Sequence, residues 1–100
     1  MQFDYRVVFL KQSGFPACAA MESVWYSAAN ELNEEYPYYN IGFGEWNNSD
    51  DDWAFATSIG CDSTPNFAVF DTEANLLGLQ EDGIISKSEL KDFVIKAIEG

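Results

Sequence analysis

Phe15-Pro16-Ala17-Cys18 stands between an apolar run, Arg6-Val7-Val8-Phe9-Leu10, and a segment with helical spacing. A strand that turns into a helix at such a point sets its thiol at the helix N-terminus. Backbone N–H groups and the helix dipole stabilise a thiolate there. Thiol–disulfide exchange uses that placement with two cysteines spaced Cys-x-x-Cys. Here the first of the two positions is Phe15. A phenyl ring can neither attack a disulfide nor close one with Cys18.

Other chemistries find less support. The chain has no histidine, which excludes Ser–His and Cys–His nucleophilic pairs. Cys18 and Cys61 lack any close cysteine, so zinc-ligand spacing is absent. Cys61 reads as a core residue, with a disulfide to Cys18 left open. Asp50-Asp51-Asp52 invites a calcium reading. An EF-hand loop counted from Asn48 would need Gly at its sixth place and Glu at its twelfth, where Trp53 and Ile59 stand. The acidic run is expected to be a loop and helix N-cap instead. No metal and no cofactor is expected.

These residues must be positioned by few elements. The first strand is expected over Phe3 to Leu10, buried on both faces because its apolar run does not alternate. Pro16 suits the first turn of a helix. That helix is expected to reach Glu35, with Met21, Trp25, Ala28 or Ala29, and Leu32 facing the core. Glu31, Glu34 and Glu35 sit at the wrong end for the dipole and are expected to be solvated. Pro37 ends the helix. Further strands are expected over Tyr38 to Phe43, Asn66 to Phe70 and Leu76 to Leu79, with a short helix over Asp51 to Ser58 closed by Gly60. Ser86-Lys87-Ser88-Glu89 forms a capping box for a last helix whose Leu90, Phe93, Val94, Ala97 and Ile98 share a face. The order β-α-β-(α)-β-β-α implies an α/β fold, a four-stranded mixed sheet flanked by helices.

Composition bounds the rest. One hundred residues, 47% apolar, are expected to form a single domain over residues 1–100 with a small core. Seventeen acidic residues against five basic ones leave a net charge of −12. Such a surface repels phosphate backbones, so no nucleic-acid partner is expected, and basic partners or divalent cations are the natural counterparts. No charged leader precedes an apolar run, and no apolar stretch spans a membrane. The expected setting is soluble and intracellular in the producing cell, without secretion by a signal peptide. Two cysteines fit reduced surroundings better than a disulfide framework.

With these elements in order, the chain resembles the thioredoxins over nearly all its length. The resemblance is carried by Val7-Val8-Phe9, by Cys18-Ala19-Ala20-Met21-Glu22 at the head of the first helix, and by Ala29-Asn30-Glu31-Leu32. Ile59-Gly60 followed by Thr64-Pro65-Asn66-Phe67 is similar to the family's cis-proline segment. Gly83-Ile84-Ile85-Ser86 with Leu90 and Phe93 is similar to the start of its last helix. The resemblance implies a minimal thioredoxin-like fold, a cis bond before Pro65, and backbone at Thr64 able to pair with an extended peptide. It leaves two alignments. Cys18 takes the place of the resolving cysteine, with Phe15 replacing the nucleophile. Alternatively Cys18 is the nucleophile of Cys18-Ala19-Ala20-Met21, which requires a longer loop after Phe9 and puts Pro16 before the motif. The first is preferred.

Other departures from the family follow. Val8 replaces the buried acid, the second strand has no lysine to pair with such an acid, and Gly14 or Phe15 replaces the flanking tryptophan. The family carries a further strand and helix before the first strand of this chain. Without them, strand Tyr38–Phe43 would be a sheet edge, blunted by Gly42 and Gly44 or covered by a partner strand.

The expected function is therefore a non-catalytic interaction or structural module, not an enzyme, and a subunit of a larger assembly such as a viral particle. Expected binding residues are Phe15, Thr64, Pro65, Trp46 and Tyr39, with other protein subunits docking on the Tyr38–Phe43 edge or the Phe15/Thr64 surface. Two alternatives remain: a monothiol or atypical thiol–disulfide oxidoreductase using Cys18, alone or with Cys61, and an acidic inhibitor or nucleic-acid mimic.

Overall fold

The computed structural model describes residues 3–11, 16–47, 65–80 and 84–100. Its elements run β1 (Tyr5–Lys11), α1 (Pro16–Glu35), a 3-10 turn (Pro37–Tyr39), β2 (Ile41–Asn47), β3 (Asn66–Asp71), β4 (Leu76–Gln80) and α2 (Lys87–Glu99). The strands form one sheet in the order β2-β1-β3-β4. β2 lies parallel to β1, and parallel neighbours need a long crossover, here supplied by α1. β3 is antiparallel to both β1 and β4. The expected four-stranded mixed sheet is thus the observed one. The expected helix over Asp51–Ser58, and the acidic run at Asp50–Asp52, lie outside the described residues.

The apolar run of β1 is explained by cover on both faces. Val7 and Phe9 point to one face, Val8 and Leu10 to the other, and Val7, Phe9 and Leu10 are fully buried. The first face carries the larger core. Val7, Phe9, Ile41, Phe67 and Val69 of the sheet pack there with Met21, Trp25, Ala28 and Leu32 of α1 and with Leu90 and Val94 of α2. At its centre the rings of Phe9 and Phe67 stack at 5.1 Å, and Trp25 lies 5.5 and 5.8 Å from them. On the second face Leu10, Ala68 and Phe70 cluster with Val8, Trp46 and Leu79.

The buried residues of α1 are Cys18, Met21, Trp25, Ala28 and Leu32. Steps of three and four residues keep them on one stripe, which takes Ala28 into the core rather than Ala29. In the capping box of α2, the Ser86 side chain accepts from the Glu89 N–H at 3.1 Å. The Glu89 carboxylate accepts from the Ser86 N–H at 3.0 Å.

The edge strand begins later than Tyr38. Pro37 opens a 3-10 turn, and Asn40 closes it in the left-handed region at φ 53°, donating its N–H to the Pro37 carbonyl. Only at Ile41 does the backbone extend, so the edge runs Ile41–Asn47 instead of Tyr38–Phe43. Among the described residues no strand lies beyond it. A Cβ on Gly42 would come within 2.5 Å of the Phe3 ring, whereas Gly44 has nothing within 4 Å. Glycine at 42 therefore lets Phe3 lie against the strand.

Two charges expected in solvent are engaged. Glu31 of α1 accepts from Lys87 and from Lys91 (2.8 Å) of α2, and Glu35 accepts from Lys91 at 2.8 Å. The carboxylates lie at the unfavourable end of α1 and the lysines at the unfavourable end of α2. Packing the two helices sets each misplaced charge against its opposite. No described helix is long and apolar enough to cross a membrane.

Candidate functional site

β1 leaves the sheet at Lys11 and α1 begins at Pro16, whose missing N–H costs nothing at a helix start. Cys18 follows in the first turn. It is the N-terminal member of the core-facing stripe and is only 3% exposed. The register pairs Leu10 with Asn66, so β3 starts where β1 ends. Pro65 and Asn66 therefore share one end of the sheet with the turn that bears Cys18. Both are buried, and Asn66 is the fully buried polar residue among those described. Phe15, Thr64 and Cys61 lie outside the described residues.

A charged group flanks it. Lys11 Nζ stands 2.5 Å from Glu45 Oε1 on β2 and 3.5 Å from Glu22 Oε1 on α1. The Tyr26 hydroxyl donates to Glu45 Oε2 at 3.3 Å. The hydrogen bond to Glu45 is the main cause that raises the Lys11 pKa, with partial burial opposing it. Glu22 follows Cys18 by four residues and shares its side of the helix. Sequence reasoning missed this group. It looked for a lysine in the second strand, whereas the lysine comes from the end of β1, where the parallel register places it two residues beyond the partner of Glu45.

The other expected binding residues divide between the two ends of the sheet. Trp46 lies opposite Leu10 and packs, half-buried, on the second face of the sheet. Tyr39 lies at the far end, just before β2 pairs Ile41 with Tyr5. Its ring stacks on Tyr36 at 5.5 Å and meets Tyr5 edge-on at 6.2 Å. Its hydroxyl donates to Glu99 Oε2 at 2.5 Å, and this bond, ahead of desolvation, raises the Tyr39 pKa to about 12. Among the described residues no cluster of three His, Cys, Asp or Glu side chains is placed to hold a metal.

No family model matches the sequence, and no curated protein matches it. Solved structures do match. Human ERp44 in a zinc-bound form aligns with a TM-score of 0.75 and 17% identity, over 95% of this chain and 27% of that one. Thioredoxin f from spinach chloroplast aligns with a TM-score of 0.68 and 17% identity, over 97% of this chain and 79% of that one. The chain has the thioredoxin fold. MTB dsbF, solved in mixed oxidized and reduced forms, shares that thioredoxin fold with a TM-score of 0.68 and 16% identity, over 96% of this chain and 82% of that one. The chain spans between about a quarter and under half of the ERp44, ERdj5 and Eps1p chains that it matches.

These neighbours correct one expectation. The departures at Phe15 and Val8 and the absent lysine led to a domain that is not an enzyme. The thioredoxin fold here is shared with a thioredoxin and with a protein captured both oxidised and reduced. A cysteine also stands in the first turn of α1. Missing residues of one motif do not by themselves exclude catalysis, and the expectation of no enzyme is withdrawn.

Proposed function

We propose that this thioredoxin-fold chain performs thiol–disulfide exchange on protein substrates through Cys18. The observation that supports this reading best is the placement of Cys18 in the first turn of α1, at the end of the sheet where Asn66 pairs with Leu10. In the exchange, the Cys18 thiolate attacks one sulfur of a substrate disulfide. The Cys18–substrate S–S bond forms, the substrate S–S bond breaks, and the departing sulfur leaves as a thiolate that takes a proton. A second thiol, from a protein or small-molecule donor, attacks the mixed disulfide and returns Cys18 to its reduced form. Burial of Cys18 makes local opening of the first turn part of this reaction.

Turnover of a protein disulfide, with a thiol donor in excess, tests the reading in wild type, Cys18→Ala and Phe15→Cys. Wild type is expected to turn over, Cys18→Ala to be silent, and Phe15→Cys, which supplies a second thiol in Cys-x-x-Cys spacing, to be faster. A wild type no faster than Cys18→Ala rejects it.

A second reading is docking of a partner protein on β2. It is supported by the outer side of Ile41–Asn47, which pairs with no other described strand. Gly44→Lys places a charge on that edge where space is open. It should abolish a partner complex that the wild type forms; an unchanged complex rejects the edge as the docking site.

A further inference from the structure

We propose that the groove between the C-terminal end of α1 and α2 binds an arginine or lysine side chain of a partner polypeptide. The groove has a volume of about 660 Å³ and lies at the opposite end of α1 from Cys18. It is independent of the thiol chemistry. Tyr36 lines it together with Glu35, Lys91, Asp92, Lys96 and Glu99. Tyr36 belongs to a tyrosine cluster: its ring stacks on Tyr39 at 5.5 Å and 8°, and Tyr38 packs 4.9 Å from Tyr39 and 6.1 Å from Tyr36. Tyr38 is 71% exposed. Aromatic faces attract cations that come within about 6 Å of the ring centre.

The charges select the sign of the ligand. Lys91 is already matched by Glu31 and Glu35. Asp92 makes no ion pair among the described residues, and Glu99 carries a carboxylate at the foot of the Tyr39 ring. Lys96 alone opposes them, in a chain of net charge −12. An anion entering here would meet that field, whereas a guanidinium could stack on Tyr36 and meet the Asp92 carboxylate, a pairing that suits its flat, forked shape.

The test is fluorescence anisotropy with a labelled peptide, Gly-Ser-Arg-Gly-Arg-Ser-Gly, and a twin with glutamine in place of arginine, at low ionic strength. The arginine peptide should bind saturably, about tenfold more tightly than its twin, with affinity falling as salt rises. Asp92→Asn and Tyr36→Leu should each weaken binding about fivefold. Glu22→Gln makes the same change in net charge at the other end of α1 and should leave binding within about twofold. Absence of saturable binding to the wild type, or equal weakening by Asp92→Asn and Glu22→Gln, overturns the proposal. Asp92 is exposed, so its variant tests the site even if Tyr36→Leu perturbs the fold.

Discussion

Cys18 is placed by the spacing that packs its helix. Cys18, Met21, Trp25, Ala28 and Leu32 occupy one stripe, so the thiol that stands nearest the helix N-terminus is also the first core residue of α1. The stripe was legible in the sequence because it depends on local periodicity alone; that Cys18 extends it to the first turn needed the helix start at Pro16. Burial has a measurable consequence. Iodoacetamide should modify Cys18 in the native protein at least about tenfold more slowly than in the unfolded chain, with peptide mapping separating Cys18 from Cys61. Equal rates would show that the first turn does not shield it. Trp25 carries the centre of the core through Phe9, Phe43 and Phe67. Trp25→Ala is expected to destabilise the fold by about 3–5 kcal/mol, read from urea unfolding.

At the scale of elements, helix ends and strand starts separate what sequence can say from what packing decides. The capping box at Ser86 was legible because both partners lie within one turn. The engagement of Glu31 and Glu35 was not, since it depends on how α1 and α2 pack. The same pairing sets a pH dependence. Glu31 is held down to about 2 from its ordinary 4.5, first by Lys87 and then by Lys91. Its contribution is present above pH 4.5 and is lost as pH falls toward 2. Tyr39, raised from 10.0 to about 12 by its bond to Glu99, contributes below pH 10 and loses that contribution as pH rises toward 12. Thermal unfolding against pH should therefore lose part of its acid slope in Glu31→Gln and part of its alkaline slope in Tyr39→Phe. Unchanged slopes would dissolve both couplings. β2 offers a paired comparison. Gly42→Ala must displace Phe3 and should cost about 1–3 kcal/mol. Gly44→Ala meets open space and should be neutral or slightly stabilising. The late start of β2 escaped sequence reading because Asn40 takes a left-handed turn that the aromatic run Tyr36–Tyr39 masks.

The whole molecule is governed by its charge and by the topology that joins distant segments at one end of the sheet. Among the described residues Lys11, Lys87 and Lys91 are held in ion pairs, yet the net charge of −12 repels itself across a small body. Raising the salt from about 0.1 to 1 M shortens the screening length from about 10 to 3 Å, which should raise the melting temperature; a fall would mean that the ion pairs outweigh the self-repulsion. The fold was legible because element order, apolar spacing and turn residues are local features that need no long-range contact to be read. The site was only half legible, because the placement of the start of β3 at the end of β1 is a product of the β1–β3 register and not of any local pattern. The most direct test of the proposed chemistry is intact-mass and peptide-mapped analysis of the native protein after reaction with glutathione disulfide. A mixed disulfide at Cys18, absent in Cys18→Ala and released by a thiol donor, is the expected result. A native protein that forms no adduct, or forms one at Cys61 alone, would contradict it.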